Sequence, residues 1–81
     1  MPKVADRSDH ARALGKLGDA IRARRQSIEM SQEALADAAG INRTHMGEVE
    51  RGKRNISFMG VVKIARAMGA KVSDIIADAG L

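Results

Sequence analysis

The residues best suited to chemistry in this sequence are hydrogen-bond donors at the start of a short predicted helix. Asn42 is a good N-cap, so Arg43 and Thr44 should occupy the exposed first turn of the helix that follows it. An arginine can donate two parallel hydrogen bonds to the edge of a guanine, and a threonine can contact a thymine methyl group. Because the first turn of such a helix can enter the major groove of DNA, this pair is a candidate for reading bases.

Positive charge is concentrated in and after the same helix. The chain has 14 basic and 10 acidic side chains, and between residues 43 and 71 seven basic residues accompany only two acidic ones. A segment of this kind is suited to a phosphate backbone. A solvated helix surface would have the same composition, so charge alone leaves both interpretations open.

Few residues in the sequence could support catalysis or hold a metal. It contains no cysteine, which excludes disulfides and thiolate metal sites, and its only two histidines, His10 and His45, lie far apart. A small basic helical domain also offers no evident cleft for a Ser-His-Asp arrangement. We therefore expect a protein that is not an enzyme and that binds no cofactor or metal.

Apolar residues recur at helical spacing, and no segment alternates with the period of a β-strand. Leu14, Leu17, Ile21 and Ile28 form the apolar stripe of a first amphipathic helix, predicted over residues 9–28. Residues 1–8 should form a flexible arm. The rest of the chain, residues 9–81, should form one all-α domain, a compact five-helix bundle.

Four shorter helices are expected after the first, each with a recognisable start. Ser31 should cap the second helix and Asn42 the third, Asn55 and Ser57 flank the start of the fourth, and Ser73 should cap the fifth. The inward stripe of the fourth helix should comprise Val61, Ile64, Ala65 and Met68. Three methionines are expected to fill the core: Met46, Met59 and Met68.

The second and third predicted helices are the most informative part of the sequence. They are joined by a short turn containing Gly40, which can adopt the positive φ that ends a helix, and such a pair forms a helix-turn-helix. Five apolar positions should face a shared core: Leu35, Ala39, Ile41, Met46 and Val49. A purely structural hairpin would satisfy this spacing. The small Ala36 at the helix crossing, the polar first turn and the basic flank favour DNA binding.

Three motifs carry a resemblance to a known family. They are Ser31-Gln-Glu-Ala-Leu-Ala, Ala39-Gly-Ile-Asn-Arg-Thr and Glu50-Arg-Gly-Lys-Arg-Asn-Ile-Ser57. Over residues 14–80 the chain resembles the phage-repressor and Cro-type (XRE-like) helix-turn-helix family, and it is most similar to the controller proteins of restriction–modification systems. The resemblance implies a lambda-repressor-like fold of five helices and a homodimer that binds operator DNA and switches transcription.

The same resemblance implies roles for individual residues. Arg43 and Thr44 would read bases, and a second group would contact the DNA backbone: Gln32, His45, Arg51, Lys53, Arg54 and Asn55. Controller proteins often have tyrosine where His45 stands, although an imidazole can also donate a hydrogen bond. An ion pair between Arg25 and Glu50 would fix the relative orientation of two helices.

The last predicted helix is too apolar for one short terminal helix to bury fully within its own domain. We therefore expect two chains to pair across a two-fold axis. The expected interface consists of Phe58, Val62, Ile75, Ile76 and Ala79.

Two kinds of function agree with these features. The favoured one is a cytoplasmic, homodimeric transcription regulator whose partner is a double-stranded, pseudo-palindromic DNA operator, with no membrane association and no evident small-molecule effector. The alternative is an antitoxin or adaptor that uses the same fold to bind a partner protein. An antitoxin would be expected to carry an additional neutralising segment, and the arm is the only spare segment, which favours the regulator.

Overall fold

Five α-helices follow one another along residues 7–81, the part of the chain that the computed structural model describes. They are α1 (Arg7–Ser27), α2 (Gln32–Ala39), α3 (Arg43–Glu50), α4 (Phe58–Ala67) and α5 (Val72–Ala79). The prediction of five helices and no strand is confirmed for these residues. None of the described helices is long and apolar enough to cross a membrane. Most of the predicted arm lies outside the described residues, but its last two positions, Arg7 and Ser8, already belong to α1.

Every helix contributes one large, completely buried side chain to a common core. These five side chains, each less than 2% exposed, are Ile21, Leu35, Met46, Ile64 and Ile75. Around them α1 packs against α3 and α5, α2 packs against α3 and α4, and α4 also contacts α5. Burying one such side chain stabilises the fold by about 1.5–3 kcal/mol, so tertiary packing rather than helix propensity holds these short helices in place.

Side-chain caps begin three of the helices at the predicted positions. Ser31 Oγ accepts a hydrogen bond from the Ala34 N–H at 3.0 Å, and Ser57 Oγ accepts one from the Gly60 N–H at 3.0 Å. Asn42 caps α3. Each cap satisfies a backbone donor that has no partner within its helix, and such a cap contributes about 0.5–2 kcal/mol.

The first helix ends one residue earlier than predicted, at Ser27. Glu29 adopts a positive φ of 56°, and the Met30 N–H donates to the Arg25 carbonyl oxygen at 3.1 Å. This is the hydrogen bond of a Schellman motif, in which glycine usually occupies the left-handed position. Because a glutamate occupies it here, the sequence contained no stop signal. Ile28, predicted on the buried stripe, is instead 47% exposed.

The fifth helix begins before its predicted cap. Ser73 lies inside α5, and the residue that precedes the helix is Lys71. The Lys71 N–H donates a hydrogen bond to Asp74 Oδ2 at 3.0 Å. A carboxylate reaching back from the third helical position therefore satisfies the start of α5, which is one half of a capping box.

The predicted stripe of α4 is confirmed, but one methionine does not reach the core. Val61, Ile64, Ala65 and Met68 are all buried, whereas Met59 is 55% exposed. Met59 stands two residues before Val61, which places it about 200° around the helix from Val61. It therefore lies on the opposite side of α4 from the buried stripe.

Helices α1 and α3 approach each other so closely that only a glycine fits between them. A Cβ atom at Gly18 would lie 2.5 Å from the Val49 carbonyl oxygen and 2.6 Å from the Glu50 carbonyl oxygen. Both neighbours are backbone atoms, so no side-chain movement could relieve the overlap. This contact seats the C-terminal end of α3 on α1 and thereby sets the orientation of α3.

Candidate nucleic-acid interface

The turn between α2 and α3 directs the start of α3 towards the surface. Gly40 adopts a φ of 67°, and the Ile41 N–H donates to the Ala36 carbonyl oxygen at 2.9 Å. Asn42 Oδ1 then accepts hydrogen bonds from the N–H groups of Thr44 at 2.8 Å and His45 at 3.2 Å. The first turn of α3 is consequently capped by a side chain and open to solvent.

Four of the residues predicted to contact DNA line one shallow surface depression. They are Gln32, Arg43, Thr44 and Arg51, which come from the N-terminus of α2 and from both ends of α3. Two other residues, Glu33 and Gly47, complete the lining. The depression brings the two candidate base-reading side chains beside two candidate phosphate donors.

Gly47 makes room for the side chains that flank it in this depression. A Cβ atom at this position would lie 3.2 Å from Arg51 Nη1 and 3.4 Å from Gln32 Oε1. The guanidinium of Arg51 and the amide of Gln32 thus both lie over the bare face of α3. From the sequence, Gly47 removes a side chain from the face of α3 that could reach DNA and lowers helix propensity. The sequence does not predict which side chains lie over it.

Arg43 is exposed, but it already has two acidic partners on the preceding helix. Its Nη2 donates to Asp37 Oδ2 at 3.1 Å, and its Nη1 lies 3.4 Å from Glu33 Oε2. The hydrogen bond to Asp37, followed by the charges of Asp37 and Glu33, raises the pKa of Arg43 above its ordinary value. Neither Glu33 nor Asp37 was predicted to contact Arg43, although a separation of four residues places them on one face of α2.

The predicted pair of Arg25 and Glu50 is present, and together with Gln32 it joins three helices. Arg25 Nε donates to Glu50 Oε2 at 2.8 Å, Arg25 Nη2 donates to Glu50 Oε1 at 3.0 Å, and Arg25 Nη1 donates to the Met30 carbonyl oxygen at 2.9 Å. Gln32 Nε2 also donates to Glu50 Oε1, at 3.2 Å. With the Arg25 and Glu50 side chains only 12% and 3% exposed, this is a nearly buried network that connects α1, α2 and α3.

A more exposed ion pair connects α1 to α5. Arg24 Nε and Nη2 donate to Asp78 Oδ2 at 3.0 and 2.7 Å. The two side chains are 30% and 43% exposed, so water screens this pair far more than the pair of Arg25 and Glu50.

The other residues predicted to contact the DNA backbone lie around the depression rather than in it. Lys53 and Arg54 are exposed in the segment after α3, and Arg54 Nε lies 3.4 Å from Glu48 Oε2. Asn55 lies beside the N-terminal half of α1. His45 faces the start of α4, and its Nε2 atom is buried without a hydrogen-bond partner among the described residues. In this conformation Nε2 is not available to a phosphate.

The structure corrects part of the predicted dimer interface. Ile75 is completely buried and Ala79 is 9% exposed within the single chain, because α5 packs against both α1 and α4. Neither residue belongs to a free apolar surface. Phe58 is 70% exposed, while Val62 and Ile76 are half-buried. The apolar surface available to a partner is therefore smaller than the sequence indicated.

Two short helices joined by a glycine-containing turn, with a capped and exposed polar start on the second helix, define a helix-turn-helix. The model of the helix-turn-helix family matches residues 21–75. The chain belongs to the helix-turn-helix family of transcription regulators.

Individual relatives narrow the comparison within this family. Control protein C.SmaI of Serratia marcescens is 34% identical over 65 residues, which cover 80% of this chain and 77% of that protein. Restriction-modification controller protein C.AhdI of Aeromonas hydrophila has a TM-score of 0.75 at 37% identity, over 76% of this chain and 94% of that chain. The clp gene regulator ClgR of Corynebacterium glutamicum has a TM-score of 0.82 at 28% identity, over 84% and 72% of the two chains. The predicted family and its controller-type relatives are confirmed.

Proposed function

We propose that this chain is a sequence-specific DNA-binding regulator of transcription that acts as a homodimer on a pseudo-palindromic operator. The observation that carries the proposal is that Arg43 and Thr44 line the same surface depression as Gln32 and Arg51. Major-groove recognition needs this combination, because base edges supply specificity and phosphate contacts supply position.

The reading role falls to the first turn of α3. Its cap at Asn42 holds the backbone of Thr44 and His45, so that Arg43 and Thr44 project from a defined helix end. The guanidinium of Arg43 can hold O6 and N7 of a guanine, and Thr44 can contact a thymine methyl group.

Hydrogen-bond donors on either side of that turn would bind phosphates and so position the protein on the DNA. Gln32 Nε2 has two hydrogens, of which one is directed at Glu50, so the other can be donated to a phosphate oxygen. Arg51 also lies over Gly47, as Gln32 does, and Lys53 is exposed in the segment that follows α3. These side chains can contact the phosphates on both sides of the bases that Arg43 and Thr44 read.

The relatives support a controller role, which we propose is carried out in the cytoplasm. The matched structure of Aeromonas hydrophila is described as a restriction-modification controller protein, and the matched protein of Serratia marcescens as a control protein. By this likeness, the genes that the chain regulates belong to a restriction–modification system. The exposed Phe58, with the half-buried Val62 and Ile76, supplies the apolar surface through which two copies would pair.

Selection of duplexes from a random DNA pool by the full chain tests the proposal. A homodimer should enrich a pseudo-palindrome whose half-sites are one turn of DNA apart, roughly 34 Å. Binding that enriches no sequence would contradict specific recognition, and enrichment of a single half-site would contradict the dimer. A chain that retains no DNA but captures one protein partner from its host would be an adaptor or antitoxin instead.

A further inference from the structure

Both terminal nitrogens of Arg43 have carboxylate partners before any DNA arrives. Nη2 lies 3.1 Å from Asp37 Oδ2, and Nη1 lies 3.4 Å from Glu33 Oε2. The two acids extend from α2 and are 64% and 71% exposed, so they are as accessible to an incoming duplex as the arginine itself. The guanidinium is thus shared between two anions on the surface that the proposed function assigns to DNA.

This arrangement affects phosphate and guanine differently. A phosphate contact would bring a third negative charge close to Asp37 and Glu33, and like charges at this distance repel each other. A guanine edge carries no net charge and offers two acceptors in the geometry of the arginine fork. Arg43 can therefore exchange its carboxylate partners for guanine with less repulsion than for a phosphate.

We propose that Glu33 and Asp37 are specificity-determining residues, which hold Arg43 in the free protein and keep it from binding phosphates indiscriminately. The inference rests on the proposed function, since it takes Arg43 as a base-reading residue. Glu33 and Asp37 would not themselves read a base. The two acids lower the affinity for random DNA more than the affinity for the operator. They therefore increase the ratio of operator affinity to random-DNA affinity.

The test compares the double variant Glu33→Gln, Asp37→Asn with the unaltered chain on the selected operator and on a scrambled duplex, across a salt series. Affinity for scrambled DNA should rise by about two- to fivefold, the range expected for loss of exposed ion pairs. The salt slope on scrambled DNA should steepen by about 0.9, because Arg43 gains one phosphate contact. Operator affinity should change less, so the ratio of operator to scrambled affinity should fall.

A matched control separates this effect from a general gain of positive charge. Asp19→Asn with Glu29→Gln makes the same change in net charge at two exposed residues that neither line the depression nor pair with Arg43. The control variant should change the affinity for the operator and the affinity for scrambled DNA by the same factor. If the Glu33 and Asp37 double variant does the same, the proposal is wrong.

The Arg43→Ala background distinguishes this proposal from the proposed function. Without Arg43, the acidic double variant should no longer change the ratio of operator to scrambled affinity. A ratio that falls as much without Arg43 as with it would overturn the proposal, because the acids would then act independently of the arginine. If Arg43→Ala alone leaves the ratio unchanged, base reading by Arg43 is wrong, and the present proposal fails with it.

Discussion

At the scale of single residues, Arg43 and Lys53 are expected to make different kinds of DNA contact. Arg43→Ala should cost roughly 1–3 kcal/mol on the operator and relax the preference at one base pair per half-site, because a bidentate contact to a base is lost. Lys53→Ala should instead weaken operator and scrambled DNA equally and reduce the salt slope by about one unit. Binding titrations of both variants on both duplexes at several salt concentrations provide the comparison. Equal losses on the two duplexes for Arg43→Ala would make it only another phosphate contact.

Among single residues, the contacts between α2 and α3 were the hardest part of the site to predict from the sequence. Asn42, Arg43 and Thr44 were identified from their types and order, because a capped helix start is a local property. The two acids that hold Arg43 were not identified, because their role depends on the angle between α2 and α3. Gly47 was likewise unexplained until the side chains that lie across it were located.

At the scale of helices, the network of Arg25, Glu50 and Gln32 should govern how α1, α2 and α3 fit together. Glu50→Ala should destabilise the fold by about 3 kcal/mol, since it leaves the nearly buried Arg25 guanidinium without its carboxylate. Replacing both partners, with Arg25→Met and Glu50→Leu, should cost less than the single change. Urea unfolding of Arg25→Met, Glu50→Leu and the double variant measures the coupling, and additive effects would show that the two side chains do not interact.

The ion pair of Arg24 and Asp78 is the matched control for that network. It also joins α1 to another helix, but it is much more exposed. Asp78→Ala should therefore cost about 1 kcal/mol or less. A loss as large as that of Glu50→Ala would mean that burial is not what makes the Glu50 pair important.

Helix boundaries show a related limit on sequence reasoning. Starts at Ser31, Asn42 and Ser57 were predicted correctly, because each residue caps its helix through its own side chain. The end of α1 two residues before Glu29 and the start of α5 directly after Lys71 were missed, because neither residue type signals a boundary there. In both places backbone hydrogen bonds and neighbouring side chains decide where the helix stops or starts.

At the scale of the whole molecule, dimerisation should depend on the apolar surface that the single chain leaves exposed. Ile76→Asp should yield monomers that bind the operator weakly, because a charge would be buried in the interface. Ile28→Asp is the control, since Ile28 is 47% exposed and lies outside the proposed interface. Sedimentation at high micromolar concentration measures the association state of each variant. An unaltered chain that is monomeric under these conditions would refute the proposed dimer.

Local chemistry in the sequence by itself determined the helical class, the helix-turn-helix, the capped start of α3 and the family to which the chain belongs. These features follow from residue type and spacing over a few turns of chain. Only the tertiary structure decided which side of α5 is free, that Gly18 seats α3 on α1, and that Asp37 and Glu33 hold Arg43. Each of these depends on which groups from distant segments lie within a few ångströms of one another. The spacing of residues along one helix predicts which face is buried, but not which groups of another helix lie against it.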